Sequence, residues 1–229
     1  MGNLDFSAIV PSLGYLFGQG MVVTLIITVV SSVLGIALGT MLAIMRMSPK
    51  IWLSAPATLY INTLRSIPLL LVIFAVYFML PIVGAWVVGS PYPLQIGALR
   101  AALVSFTLFE AAYFAEIIRS GIQSIRAGQV QAGQAIGLSQ TQVMRYVILP
   151  QAVRNMIPPL LMRVIIIFQD TALVYVVSLT DFLGAASNVG INQGRLTEMY
   201  IFVAATYFII CFVVSKIVNR IDANLRVIR

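Results

Sequence analysis

Histidine is absent from this chain, cysteine occurs once, and charged side chains make up only 9% of its 229 residues. The missing histidine removes imidazole metal sites and the commonest general base, and a lone Cys211 excludes a disulfide framework. Cys211 sits in an apolar run and reads as a small buried hydrophobe. So few charges cannot clothe a water-soluble surface, where about a quarter of residues are ordinarily charged. What fills the chain instead is 60% hydrophobic residues. The composition is that of an integral membrane protein, and its length suits one domain over 1–229.

The first residues, "MGNLDFSAIVPSLGYLFGQG", carry no Lys or Arg ahead of an apolar run. A secretory signal needs a positive start, so the first span is expected to be retained. A helix crossing hydrocarbon needs about 20 apolar residues. Five stretches qualify, at about Met21–Met45, Tyr60–Leu80, Ala98–Ile118, Ile157–Ser178 and Met199–Lys216, with Pro81 closing the second. Ser31, Gly35 and Gly39 put small residues at four-residue spacing on the first, which lets another helix approach closely. Intramembrane enzymes are disfavoured, because no nucleophile stands beside an evident base.

Arg46, Lys50, Arg119, Arg126, Arg145, Arg154, Lys216, Arg220, Arg226 and Arg229 all fall on one side of a five-span arrangement, with Arg100 and Arg195 opposite. Lys and Arg gather on cytoplasmic loops. The excess of 14 basic over 7 acidic residues is therefore a topology signal that faces the amino end outward and the carboxyl end inward.

Residues of about 120–150 interrupt the oil between spans three and four. Helix formers from Arg126 to Ile136 end at Gly137, a residue that takes the left-handed conformation at little cost. Ser139 with Gln142 then forms a capping box for a second helix through Ile148, and Pro150 is expected to stop it. Such a segment could merely join two spans, but long connections usually have a task. A DNA-reading helix-turn-helix would need more than the two cations, Arg126 and Arg145, offered here. Slim helices with exposed small residues instead suit a groove on a cytoplasmic partner.

The insert resembles the EAA loop of bacterial ABC importer permeases. Its slots hold Gln131, Ala132 and Gly133, then Gly137, then Val147, Leu149 and Pro150, and Leu138 beside the glycine joins the residues implied to couple to the ATPase. Gln131, Gly133 and Val147 depart from the usual glutamate, alanine and isoleucine. "RSIPLLL", "FEAAYFAEIIRSGIQSI", "LPQAVRNMIPPL" and "FQDTALVYVVSL" extend the likeness to the polar amino acid permease family, especially permeases for glutamate and aspartate. The resemblance implies an all-α fold of five membrane helices with a cytoplasmic helix-turn-helix coupling loop. It also implies a second permease subunit, identical or a paralogue, and a periplasmic binding protein. A cytoplasmic ATPase dimer would hold ATP and magnesium, leaving no cofactor and no catalysis in this chain. A glutamine or other polar amino acid permease is an alternative, as is a passive channel, which would need no docking loop.

Ionisable residues inside a bilayer are functional candidates by default. Arg65 and Glu116 lie near span ends and can snorkel. Glu110 lies roughly 12 Å inside its span, and Arg163 and Asp170 share a helix face at roughly 10 Å separation. A glutamate needs a cation for its carboxylates and an acceptor for its ammonium. Arg163 supplies the cation, with Asp170, its neighbour Thr171 or Glu110 as further candidates. The competing role is a structural Arg163–Glu110 bridge between spans three and four.

Overall fold

The computed structural model describes residues 4–225, so Arg226 and Arg229 lie outside the described part. Every regular element among the described residues is helical. We label α1 Ile9–Arg46, α2 Ile51–Ser66, α3 Leu69–Val88, α4 Ala98–Gln123, α5 Ala127–Ala135, α6 Gln140–Val177, α7 Phe182–Gln193 and α8 Leu196–Leu225. Of these, α1, α3, α4, α6 and α8 are long and apolar enough to cross a membrane.

The bounds differ from those expected, each for a local reason. α1 begins at Ile9 rather than Met21, because Pro11 falls in the first turn, where its missing N–H has no partner to lose. A π-helical turn over Leu16–Met21 carries the helix past Gly18 and Gly20. Gly20 is held there by packing: a Cβ on it would stand 2.7 Å from the Ala185 Cβ and 2.9 Å from the Asp181 carbonyl oxygen. The second span is Leu69–Val88, not Tyr60–Leu80. Tyr60 and Arg65 belong to the separate helix α2, because Ile67, at φ −109° and ψ 139°, is extended as the residue before a proline prefers. Pro81, expected to close this span, lies inside α3. The third span runs on to Gln123, and the fifth covers Leu196–Leu225.

Pro150 does not stop the second helix of the insert, which continues into span four as one helix from Gln140 to Val177. A π turn over Met144–Ile148 absorbs the proline, with the Leu149 N–H donating to the Met144 carbonyl. The Gln151 side-chain amide donates to the Val147 carbonyl at 2.8 Å. The end of α6, Thr171–Val177, tightens into a 3₁₀ helix.

Helix α4 is the post of the bundle and packs against α1, α2, α3 and α6. The Ser31, Gly35 and Gly39 stripe faces it as the spacing requires. A Cβ on Gly39 would lie 2.8 Å from the Phe114 Cβ and 2.9 Å from the Ala111 oxygen. Around Phe106, Phe109 and Phe114, one apolar cluster joins α3 and α4 to Ile167 and Val174 of α6. A second, with Ala111, Ala115 and Ile118, takes in Ala57 and Ile61 of α2 and Ala152 and Met156 of α6. The third binds α7 and α8 to the start of α1. α7 is entered at Asp181, whose carboxylate accepts from the Leu183 and Gly184 N–H groups at 3.3 and 2.9 Å. The amino end is tied to the same region by Arg195, which donates to the Asp5 carbonyl at 2.8 Å.

Candidate functional site

Glu110 stands about midway along α4 and is wholly shut off from solvent. A carboxylate there must be paired, since an uncompensated buried charge is costly. Arg163 of α6 supplies the partner, with Nε donating to Oε2 at 2.6 Å and Nη2 donating to Oε1 at 2.8 Å. This fork-to-fork geometry is the strongest form of ion pair. The guanidinium carbon also lies 3.7 Å from the centre of the Tyr113 ring, one helical turn from Glu110 on α4. The structural bridge considered from the sequence thus exists.

The pairing uses one edge of the guanidinium. Arg has five N–H donors in a plane, so the edge containing Nη1 keeps its donors for a second carboxylate, and the Arg163 side chain retains 13% exposure. Glu110, by contrast, has neither exposure nor a free edge, and the structure does not offer it to a substrate ammonium. The Asp170 carboxylate makes no hydrogen bond or ion pair among the described residues and is only partly buried. It feels the charges of Arg163 and Glu110 from beyond contact. Thr171 is not brought to this group. It is fully buried, donates to the Phe168 carbonyl at 2.8 Å and approaches the Tyr207 hydroxyl at 3.4 Å.

Two turns towards the other end of α4, Glu116 is a hub rather than a snorkelling side chain. Arg46 donates to it at 2.7 Å, Arg119 clasps it from the next turn, and Arg65 reaches it at 4.0 Å. Arg65 also lies over Tyr113, at 5.5 Å from the ring centre. Arg65 and Glu116 lie 51 residues apart in the sequence, which gives no sign of a contact between them. Only the crossing of α2 over α4 reveals their union.

In the polar insert, Gly133 is buried while Gln131 and Ala132 are exposed. Val143 explains this: its Cγ2 would lie 3.0 Å from a Cβ on Gly133, so the glycine lets the two short helices touch. Gly137 makes the turn at φ +85°. The Leu138 N–H donates to the Gly133 carbonyl at 3.1 Å, Ser139 and Gln142 complete the capping box, and Pro150 stays exposed. Ile136 is 77% exposed and Tyr146 62%, and with the exposed Met144 they give the insert apolar surface among its polar residues.

Residues 35–227 of this five-span chain match a known family, that of binding-protein-dependent transport system inner membrane components. The chain belongs to that family. Its likeness to individual transport components is extensive. The glutamate/aspartate import permease protein GltK of Escherichia coli O6:H1 is 47% identical over 222 residues, 96% of this chain and 97% of that one. The arginine transport system permease protein ArtQ of Bacillus subtilis is 33% identical, covering 98% of each chain. Among solved structures, the crystal structure of an amino acid ABC transporter with histidines gives a TM-score of 0.87 at 31% identity. That match covers 97% of this transport component and all of the solved chain.

Proposed function

We propose that this chain is the inner-membrane permease subunit of an ATP-driven ABC importer for acidic amino acids, glutamate and aspartate. The observation that carries the reading is the 47% identity, across nearly both full lengths, to a glutamate/aspartate import permease. Arg163 supports it, because an acidic amino acid needs a cation in its path and this one keeps an unused donor edge, with a partly buried Asp170 two turns along the same helix to receive the ammonium.

The helix pair is the docking element for the ATPase. Gln131 and Ala132 face the partner, Gly133 and Gly137 set the angle between the helices, and Leu138 leads into the second helix. Pro150 follows the π turn. The unbroken course from Gln140 to Val177 supports a mechanical role, since a push on the insert is delivered directly to the helix that bears Arg163. In this reading the amino end is periplasmic and the carboxyl end cytoplasmic. A second permease subunit, an ATPase dimer that binds ATP and magnesium, and a periplasmic binding protein complete the importer, and this chain itself catalyses no reaction.

The test is reconstitution of the complete importer in liposomes. ATP-dependent accumulation of radiolabelled glutamate and aspartate is expected. Accumulation of glutamine or arginine in their place would replace the proposed substrate, and passage without ATP would make the chain a channel.

A further inference from the structure

Two arginines share Tyr113. Arg163 of α6 and Arg65 of α2 lie over the same ring, their guanidinium carbons 3.7 and 5.5 Å from its centre. The gap between the two cations therefore cannot exceed the sum of those distances, which puts both within reach of one short dicarboxylate.

Their states of compensation differ. Glu110 neutralises Arg163 through two hydrogen bonds. Glu116 is divided among three arginines, and Arg65 is the most distant of them: its 4.0 Å approach exceeds hydrogen-bonding length, whereas Arg46 and Arg119 are both hydrogen-bonded to that carboxylate. The cluster of Arg46, Arg65, Arg119 and Glu116 thus carries an excess of two positive charges, and Arg65, at 38% side-chain exposure, is its most accessible member.

The backbone around Arg65 is open as well. α2 ends one residue later at Ser66, Ile67 and Pro68 are extended, and α3 begins at Leu69. Asn62, Thr63 and Ser66 are exposed on the same last turn. Broken helices and exposed polar side chains within a membrane bundle are tolerated where they meet protein or a water-filled cavity, not lipid.

We propose that Arg65 is the second cation of a two-point site for a dicarboxylic amino acid, one carboxylate resting on the unused edge of Arg163 and the other on Arg65, with Tyr113 between them. This rests on the acidic-substrate reading and deepens it. An amide such as glutamine has one carboxylate and satisfies only one of the two cations, so Arg65 is the residue that separates acids from amides within the membrane path.

The experiment uses the complete importer in liposomes, with the unaltered chain, Arg65→Gln and Arg65→Lys, scoring assembly by co-purification of the partner subunits. Loss of a charged hydrogen bond to substrate corresponds to about a tenfold or greater fall in rate. Arg65→Gln is expected to assemble and to lower the maximal rate of aspartate uptake by about tenfold. The concentration of loaded binding protein giving half-maximal rate should change little, and Arg65→Lys should recover most of the loss. An Arg65→Gln importer with undiminished aspartate uptake overturns the proposal. So does failure of Arg65→Gln to assemble, which makes Arg65 a strut for Glu116. If the unaltered importer carries no acidic amino acid, the functional reading itself fails and takes this site with it, an outcome visible before any variant is made.

Discussion

Arg163 and Glu110 join α6 to α4 through two parallel hydrogen bonds of 2.6 and 2.8 Å, with the carboxylate fully buried and the guanidinium stacked on Tyr113. The pair is a strut by construction, and the proposed function gives its remaining edge a second role as a binding group. These two roles separate experimentally.

Arg163→Gln alone leaves Glu110 buried without its partner, which costs about 3 to 5 kcal/mol. The thermal midpoint of the purified complex is expected to fall sharply. Glu110→Gln with Arg163→Gln removes both charges and should restore most of the midpoint. Glutamate uptake by the double variant should stay low, and full recovery of uptake would reduce Arg163 to a strut.

At Gly39 a Cβ would press on the Phe114 Cβ and the Ala111 backbone at 2.8 and 2.9 Å, with no flexible side-chain end to yield. Gly39→Ala should therefore force α1 from α4 and destabilise by about 1 to 3 kcal/mol. Gly14, also in α1, has nothing within 4 Å of its would-be Cβ, so Gly14→Ala should be neutral or stabilising by about 0.5 to 1 kcal/mol. Denaturation of the two purified variants, side by side, checks the contrast.

Gly137 has open space around it but a φ of +85°. Gly137→Val meets backbone strain of about 1 to 2 kcal/mol rather than a clash. It should re-angle the insert, so ATPase co-purification and transport fall while membrane insertion persists. Gly137→Asn, which tolerates positive φ better, should keep more of both. Equal, full transport by both variants would remove the coupling role.

Burial pushes the Asp181 carboxyl up to about 6 from the ordinary 3.8, against the opposing pull of the Gly184 and Leu183 N–H groups. Between about pH 4 and 6 the folded protein holds a proton that the unfolded chain has released. Stability should therefore fall as pH rises through that window and level off above it, by about 3 kcal/mol in all. Asp181→Asn retains a capping oxygen and should flatten this slope. Thermal midpoints of both proteins across pH 4 to 8 give the answer.

Single cysteines in a Cys211→Ala background test the orientation, since Ser7, Asn192 and Gln140 are all exposed. An impermeant thiol reagent added to intact cells should label positions 7 and 192 and spare 140. Labelling at 140 alone would invert the arrangement.

The five spans, the stripe at Ser31, Gly35 and Gly39, and the capping box at Ser139 were legible in the residues because each is a local statement. Twenty apolar residues must cross hydrocarbon as helix, small residues at i and i+4 must share a face, and a serine three residues before a glutamine caps the helix between and beyond them. Proline was the misleading signal. Pro81 and Pro150 were expected to end helices and instead lie within them: a π turn and the Gln151 side chain carry the chain past Pro150, and α3 runs on through Pro81 to Val88.

The charged residues divide the same way. That Glu110 and Arg163 needed partners followed from the sequence, since neither charge can stand alone in oil. That they chose each other, that Thr171 turned instead to Phe168 and Tyr207, and that Arg65 came over Tyr113 beside Glu116 were decided only by how α2 and α6 cross α4. A linear chain states which charges must be compensated. The crossing of helices far apart in sequence settles which partner lies within hydrogen-bonding reach, and a forked ion pair forms only over that distance.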